Sequence, residues 1–263
     1  MDIFKKLSFE ERDALSILEM KAILQQAILI KEDESDDRTS RNITSNAMAI
    51  LSIAGKRGLY ELVPELYQFI DHWDPFLRQP AVANLGWWLK VPEFRDQAYE
   101  IFITDEDSHT QFSALQSWTS YYADTKNPSV LEELYKILIN DNYDVGIREE
   151  ALSGIFDVTG VKSKFYDEYT SDLIKCSTPE EFNNKVEWKE VTDLLKKYAP
   201  NALKNYPIKW TKADYEKAKN IAKKNAMTLI SEGEKDIQLI SKLTNLSVEE
   251  IEELKQGGTF AGG

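Results

Sequence analysis

Apolar residues recur at helical spacing over almost the whole chain, at i, i+3, i+4 and i+7, and no apolar–polar alternation of strand length interrupts them. The first predicted helix runs from about Phe9 to Ile30. Ser8 and Glu11 make a capping box at its start, and Ala14, Leu15, Leu18, Ala22 and Leu29 share one face. The acidic stretch Lys31 to Asp37 reads as a loop. Beyond it the apolar sets come in pairs. Ile43, Ala47, Ile50, Leu51 and Ala54 define one helix, broken by Gly55 and Gly58; Leu59, Leu62, Val63, Leu66 and Ile70 define the next. Asp74-Pro75 opens a third, with Leu77, Ala81, Leu85 and Trp88 on its core side and Pro80 in its first turns or at a kink. Phe94, Ala98, Ile101 and Phe102 mark a fourth after Pro92. A fifth starts at Asp107 or Ser108 with Ala114, Leu115, Trp118 and Tyr122. A sixth follows Asn127-Pro128 with Leu131, Leu134, Tyr135 and Leu138. A seventh follows Asp144 with Ile147, Ala151, Leu152, Ile155 and Val158.

These segments repeat. Arg78-x-x-Ala81-x-x-x-Leu85, Gln111-x-x-Ala114-x-x-x-Trp118 and Arg148-x-x-Ala151-x-x-x-Ile155 superimpose, and Arg41-x-x-Thr44-x-x-Ala47-Met48 is a weaker first copy. Their leading residues stand 37, 33 and 37 residues apart, the spacing of two-helix repeat arrays. The small alanine lets paired helices approach closely. Asp74, Asp107 and Asp144 each precede a first helix and are predicted to cap it.

The run Asp74-Pro75-Phe76-Leu77-Arg78-Gln79-Pro80-Ala81 with Leu85, and the run Asp144-Val145-Gly146-Ile147-Arg148-Glu149-Glu150-Ala151-Leu152, resemble the first helix of a HEAT repeat. The resemblance covers roughly residues 38–175. It implies an all-α fold, a right-handed α-solenoid of HEAT-like helix pairs, with a ladder between neighbouring repeats in which Asp74 and Asp144 serve as the aspartates and Arg78 and Arg148 as the arginines. Gln111 stands where the third copy should have its arginine, which breaks the ladder there.

After Cys176 the register is lost. Thr178-Pro179-Glu180-Glu181 is a strong helix start, followed by Phe182, Val186, Val191, Leu194, Leu195 and Tyr198; Pro200 and Pro207 flank a loop. A polar helix of mixed charge is predicted from Lys212 to Ser231. The tail from Asp236 to Leu254 reads as a helix–turn–helix, with Ser247 and Glu250 as a capping box. A short helical pair behind a long charged helix resembles the C-terminal appendage of bacterial recombination-promoting nuclease and transposase-like proteins, over about residues 212–255. The catalytic core of that family has no counterpart, because Glu187-Trp188-Lys189, which matches its Glu-x-Lys spacing, lies on a predicted helix. The tail is therefore read as a small docking or dimerisation element; Glu249, Glu250, Glu252 and Glu253 on its last helix would repel phosphates. The expected organisation is 1–37, a capping helix and acidic loop; 38–200, the repeat array; and 201–263, the long helix and tail.

Charge narrows the function. The 32 Lys and Arg against 45 Asp and Glu give a net charge of −13. That balance argues against a surface for duplex nucleic acid and favours solubility and basic partners. The single cysteine, Cys176, allows no internal disulfide and no thiolate cage, the N-terminal residues are too charged for a secretory leader, and no apolar run reaches membrane-span length. A cytoplasmic location is expected.

The chain offers little catalytic chemistry. It has no Gly-rich phosphate loop, no His-Glu-x-x-His and no nucleophile elbow. His72 and His109 lie near loops beside Asp71, Asp74, Asp105 and Asp107, at a spacing that matches no metal-ligand pattern. Both are read as loop surface residues. Asp141 to Gly146 fails as a calcium loop because Tyr143 and Val145 occupy ligating places. Carboxylate pairs such as Glu149/Glu150 are read as solvated faces. No metal or cofactor is expected.

Aromatic residues carry the functional reading. By phase Trp88 and Trp118 belong to the core, whereas Trp73, Trp87 and Tyr121 lie off it. With Asp74, Asp107 and Asp144 they form the expected partner-binding set, aromatic anchors among steering acids. The predicted function is a non-catalytic protein-binding module for a basic protein. In bacteria, small acidic HEAT-repeat proteins look like immunity or antitoxin partners that plug a cationic toxin; an adaptor or chaperone has the same features. The alternative is an enzyme resembling the HEAT-like DNA glycosylases, with Trp118 or Trp87 beside Asp124 or Asp157. Such an enzyme needs a basic concave face, and Arg78, Lys90, Arg95, Lys126 and Arg148 are scattered among acids.

Overall fold

The structure, a computed structural model, describes residues 4–35, 37–161, 176, 178–206, 223–224, 226–231, 237, 239–240 and 248–257. Among these the fold is all-α, with no strand. The chain divides into two compact units, Met1–Phe182 with Lys189–Pro207, and Asn183–Trp188 with Ile208–Gly263.

In the first unit the predicted N-terminal helix is two. Helix α1 (Phe9–Asp13) opens on the Ser8/Glu11 capping box, and α2 (Ile17–Ile28) opens on a second box, Ser16/Glu19. Ser16 turns the chain because its hydroxyl and the Glu19 carboxylate satisfy the amide donors of a new helix start. Asp37 caps α3 (Arg38–Ala54), whose buried face is the predicted set Ile43, Ala47, Ile50, Leu51 and Ala54. The expected helix over Leu59–Ile70 is instead one short α segment, α4 (Val63–Leu66), between 3₁₀ turns at Tyr60–Leu62 and Tyr67–Phe69. Pro64, with no N–H to donate, prevents a regular helix from starting earlier, yet Leu62, Leu66, Phe69 and Ile70 are still buried.

Helix α5 (Pro75–Ala83) runs into a π turn at Asn84–Trp88. Then come α6 (Arg95–Thr104), α7 (Ser108–Ser120), α8 (Pro128–Ile139) and α9 (Val145–Thr159). After Cys176, which is buried, Thr178 caps α10 (Pro179–Lys185), followed by α11 (Trp188–Tyr198). The stretch after Pro200, expected as a loop, is the short helix α12 (Pro200–Asn205), with proline in the first turn where its missing N–H does no harm.

Helices α3, α5, α7 and α9 lie side by side in that order, while α2, α6 and α8 pack on α3, α7 and α9. The row is parallel. Arg78 at the start of α5 grips Asp105 just before α7, and at the other end Gly86 lies against Ser117 while the Asp124 amide after α7 donates to the carbonyl of Asp157 in α9. Buried Asn84 joins α3 to α5, donating to the carbonyls of Leu51 and Pro80 and accepting from the Gly55 amide. Small residues set the spacing: a Cβ at Gly86 would collide with the side chain of Ser117. Gly86→Ala should therefore cost about 1–3 kcal/mol, read as a lower urea midpoint, and Ser117→Gly in the same chain should restore much of it.

In the second unit Ala226, Ile240 and Ile251 are buried together, with Leu229, Ile230, Ile237 and Leu254 against them. The last helix is α13 (Val248–Gly257). The predicted turn and Ser247 cap of the tail, and residues 212–222 of the long polar helix, lie outside the described residues.

Candidate functional site

The starts of the first helices form one edge of the row. Asp74 caps α5, its Oδ1 accepting the Phe76 amide at 2.9 Å; Asp107 caps α7, accepting the Thr110 amide at 2.8 Å and hydroxyl at 2.9 Å. Asp144 occupies the same place before α9, but its side chain makes no capping bond. The long polar residue that leads each repeat reaches back under the loop. Arg78 Nη1 donates to the carbonyls of His72 and Trp73 at 2.7 and 3.0 Å, and Gln111 donates to that of Asp105 at 2.8 Å. Arg148 Nε donates to the Leu138 carbonyl at 2.9 Å.

The expected ladder is corrected by this geometry. Arg78 forks onto Asp105 through bonds of 2.9 and 2.8 Å, and Arg148 pairs with Asp141 at 2.8 Å. The acids that pair with Arg78 and Arg148 thus stand in the loops and are not the motif residues Asp74 and Asp144. Asp74 turns its carboxylate onto its own helix start, and Asp144 is exposed above a guanidinium that is fully buried. Bonding to Asp105 raises the Arg78 pKa further, so this rung stays charged at all ordinary pH.

His72 is likewise not the surface residue expected. It is buried between Phe69 and Trp73, ring centroids at 5.5 and 5.2 Å, and its Nδ1 accepts the Asp74 amide at 3.1 Å. Burial pulls its pKa below the ordinary histidine range against the opposing pull of Asp74, so it is neutral at pH 7. His109 is exposed. Among the described residues no group of three His, Cys, Asp or Glu side chains is placed to hold a metal, and no helix is long and apolar enough to cross a membrane.

Large apolar side chains stand open at this edge. Leu29 is 67 % exposed, Phe76 69 %, Ile103 54 % and Trp73 37 %. Trp73 is anchored rather than loose, since its Nε1 donates at 2.9 Å to the carbonyl of Ile30, the residue after Leu29, and it stands three residues before Phe76. Asp71 and Glu106 are exposed among them, and Asp74 and Asp107 partly so.

The expected binding set therefore divides. Trp73, Asp74, Asp107 and Asp144 share the edge of helix starts. Trp87 and Tyr121 stand at the ends of α5 and α7, roughly 20 Å away along helices of thirteen or fourteen residues. Both are half-buried, and the Tyr121 hydroxyl is spent on the Val91 carbonyl at 2.6 Å. Trp118 is in the core as expected, its ring packed at a tilt against Tyr99 with centroids 4.8 Å apart. Trp88, expected in the core, is 47 % exposed. The π turn explains the difference: one residue more per turn swings every later side chain off the phase that an α-helix would give it. Asp124 is exposed and Asp157 half-buried, both at that far end.

Two further residues contradict the reading from sequence. Glu149 and Glu150 are buried, with no hydrogen bond or ion pair among the described residues. Burial raises the Glu149 carboxyl to about 7; burial, then Glu149 and Asp157, raise Glu150 well above the usual carboxylate range. Arg148 beside them, also fully buried, is the only hint in sequence that this stretch is not a solvated face.

The chain matches no family model, and neither a curated protein nor a solved structure is significantly similar to it.

Proposed function

We propose that this chain is a non-catalytic protein-binding module, a right-handed α-solenoid of HEAT-like helix pairs that docks a basic partner protein on the edge of helix starts. An immunity- or antitoxin-like role against a cationic protein is the specific form of this reading. The observation that carries it is the juxtaposition of open apolar side chains, Leu29, Trp73, Phe76 and Ile103, with Asp71, Asp74, Glu106 and Asp107. Apolar groups of this size left in water mark a contact surface, and a rim of carboxylates selects and steers a cationic partner. The repeat intervals and the side-by-side row of first helices support the solenoid. The site differs from the one expected from sequence in using Leu29, Phe76 and Ile103 in place of Trp87 and Tyr121.

The test is capture from native lysate by the tagged chain and by its Leu29→Ser/Phe76→Ser variant, eluted in a salt gradient. A basic protein retained in stoichiometric amount by the parent, released by salt and lost by the variant is the expected result. A partner retained equally by both, or one that is acidic, would overturn this site.

A further inference from the structure

The opposite edge of the row has a different chemistry. Lys56, Lys90 and Lys126 stand 34 and 36 residues apart and follow α3, the π turn after α5, and α7 by two, two and six residues, so each lies in the loop beyond a first helix. All three are exposed, and none has an ion-pair partner among the described residues, in a chain with 45 carboxylates. Arg78 and Arg148 at the other edge, by contrast, are both neutralised. Two of the three lysines lie over rings. Lys56 Nζ is 5.6 Å from the centre of the Trp88 indole, and Lys126 and Lys197 are 5.9 and 4.7 Å from that of Tyr198. Arg95 lies 5.9 Å over Tyr122, though its guanidinium is held by Asp96 at 2.7 Å. Lys90 donates to the Ser120 carbonyl at 3.3 Å, bridging the ends of α5 and α7. Tyr60, 60 % exposed, donates to the Leu89 carbonyl beside it at 3.1 Å.

Two of these lysines are also held in a costly backbone. Lys90 and Lys126 have φ of 48° and 55°, and Asp124 between them 61°. A left-handed residue other than glycine costs on the order of 1 kcal/mol. The Lys126 amide is tied to the Val158 carbonyl at 2.8 Å, which fixes the turn.

We infer that this edge binds single-stranded nucleic acid, with phosphates on Lys56, Lys90 and Lys126 and bases stacked on the exposed indole of Trp88 and the neighbouring tyrosine rings. Alternating cations and flat rings are what a single strand uses, because every base has a face to stack and every nucleotide a charge to neutralise. An acidic peptide would need the cations but not the rings. Neighbouring helices lie about 8–10 Å apart, so the lysines run in single file, which follows one backbone and not the two of a duplex. The carboxylates at this edge include Asp13, Glu61, Glu93, Asp96, Asp124 and Asp157; Asp13 is taken up by Arg57 and Asp96 by Arg95, and Asp157 is half-buried. With a net charge of −13 the contact will be weak at physiological salt and strengthen steeply as salt is lowered.

The experiment is fluorescence anisotropy of a labelled oligothymidylate titrated with the full chain. Three lysine contacts give a slope of log K on log salt near −2, so affinity should fall roughly 20-fold between about 50 and 200 mM salt. Trp88→Ala should weaken binding about tenfold, and Lys56→Gln/Lys90→Gln/Lys126→Gln should nearly abolish the salt dependence. Phe76→Ala, at the opposite edge, should leave oligonucleotide affinity unchanged while weakening the docking proposed there. Far-UV circular dichroism confirms that each variant is folded; all four positions are exposed. No binding at the lowest salt, or binding that the Trp88 and lysine variants leave intact, overturns the inference. Displacement of the oligonucleotide by polyglutamate at equal charge also overturns it and assigns the edge to acidic protein segments.

Discussion

Arg148→Ala is expected to lower the stability of the first unit by about 3 kcal/mol, the low end of what breaking a buried charge pair costs. The side chain is fully buried, its Nε bonded to the Leu138 carbonyl, its Nη1 paired with Asp141, and its guanidinium 4.6 Å above the Phe182 ring. It therefore ties the end of α8, the loop before α9 and α10 to a single group. Removing it leaves the Leu138 carbonyl without this donor and opens a cavity under Phe182. Asp141 is half-exposed and recovers water, which keeps the loss from being larger. Urea unfolding followed by circular dichroism measures it; in heat the same loss is a drop of roughly 6–12 °C. Arg148→Met should retain part of the stability, because the methylene stem supplies much of the packing. An alanine variant within about 0.5 kcal/mol of the parent, the range of an ordinary surface change, would show that the guanidinium is dispensable.

The second large effect is one of pH. Glu149 has a folded pKa of about 7 against 4.5 for the free side chain. A raised carboxyl pKa means that the folded state binds the proton more tightly than the unfolded chain. Stability is then full below the unfolded value, falls as pH rises between the two, and reaches its lower level above the folded value. The loss from Glu149 alone is on the order of 3 kcal/mol between pH 4.5 and pH 7. Glu150 and Asp157, also raised by burial, act in the same direction, while Lys90 opposes the shift at Asp157. The melting temperature should thus be higher at mildly acidic pH than at pH 8, the reverse of what surface carboxylates in ion pairs give. Glu149→Gln should flatten the profile and stabilise the chain at pH 8. A parent melting temperature that rises toward pH 8, with no gain from the glutamine, would show that these carboxyls ionise freely.

The helices that could be read from the amino acids are those whose apolar face is regular and whose ends are marked by local groups. The apolar core positions of α3, α8 and α9, and those of α7 apart from half-buried Tyr122, were predicted, as were the caps at Ser8, Asp74, Asp107 and Thr178, whereas the cap expected at Asp144 does not form. The failures have specific causes. Apolar residues continue in phase across Ala14 and Leu15, which hides the second capping box at Ser16. The π turn that exposes Trp88 leaves no trace in a pattern counted at 3.6 residues per turn. Glu149 and Glu150 are polar letters inside an amphipathic helix, and only the packing of α9 reveals that both faces of it are covered. The candidate site was half legible for a related reason: Trp73 and Trp87 are close in sequence, but they stand at opposite ends of one helix. The lysine file needs the helix ends aligned in space before Lys56, Lys90 and Lys126 become neighbours.

The row of α3, α5, α7 and α9 is also electrically polar along its helix axes, a polarity that α2, α6 and α8, which run back against it, only partly offset. Each helix carries about half a positive charge at its start and half a negative charge at its end. In α3, α5, α7 and α9 these fractions point the same way. The carboxylates of Asp74, Asp107 and Asp144 sit at the positive poles and Lys56, Lys90 and Lys126 at the negative ones. The side chains outweigh the poles they neutralise, so a charged body feels opposite signs at the two ends of the row. Within a screening length of about 8 Å this field exerts a torque. On the two proposals above, a cationic protein and an anionic strand would be turned toward different edges before either touched the surface, and the two encounters would not compete for the same approach.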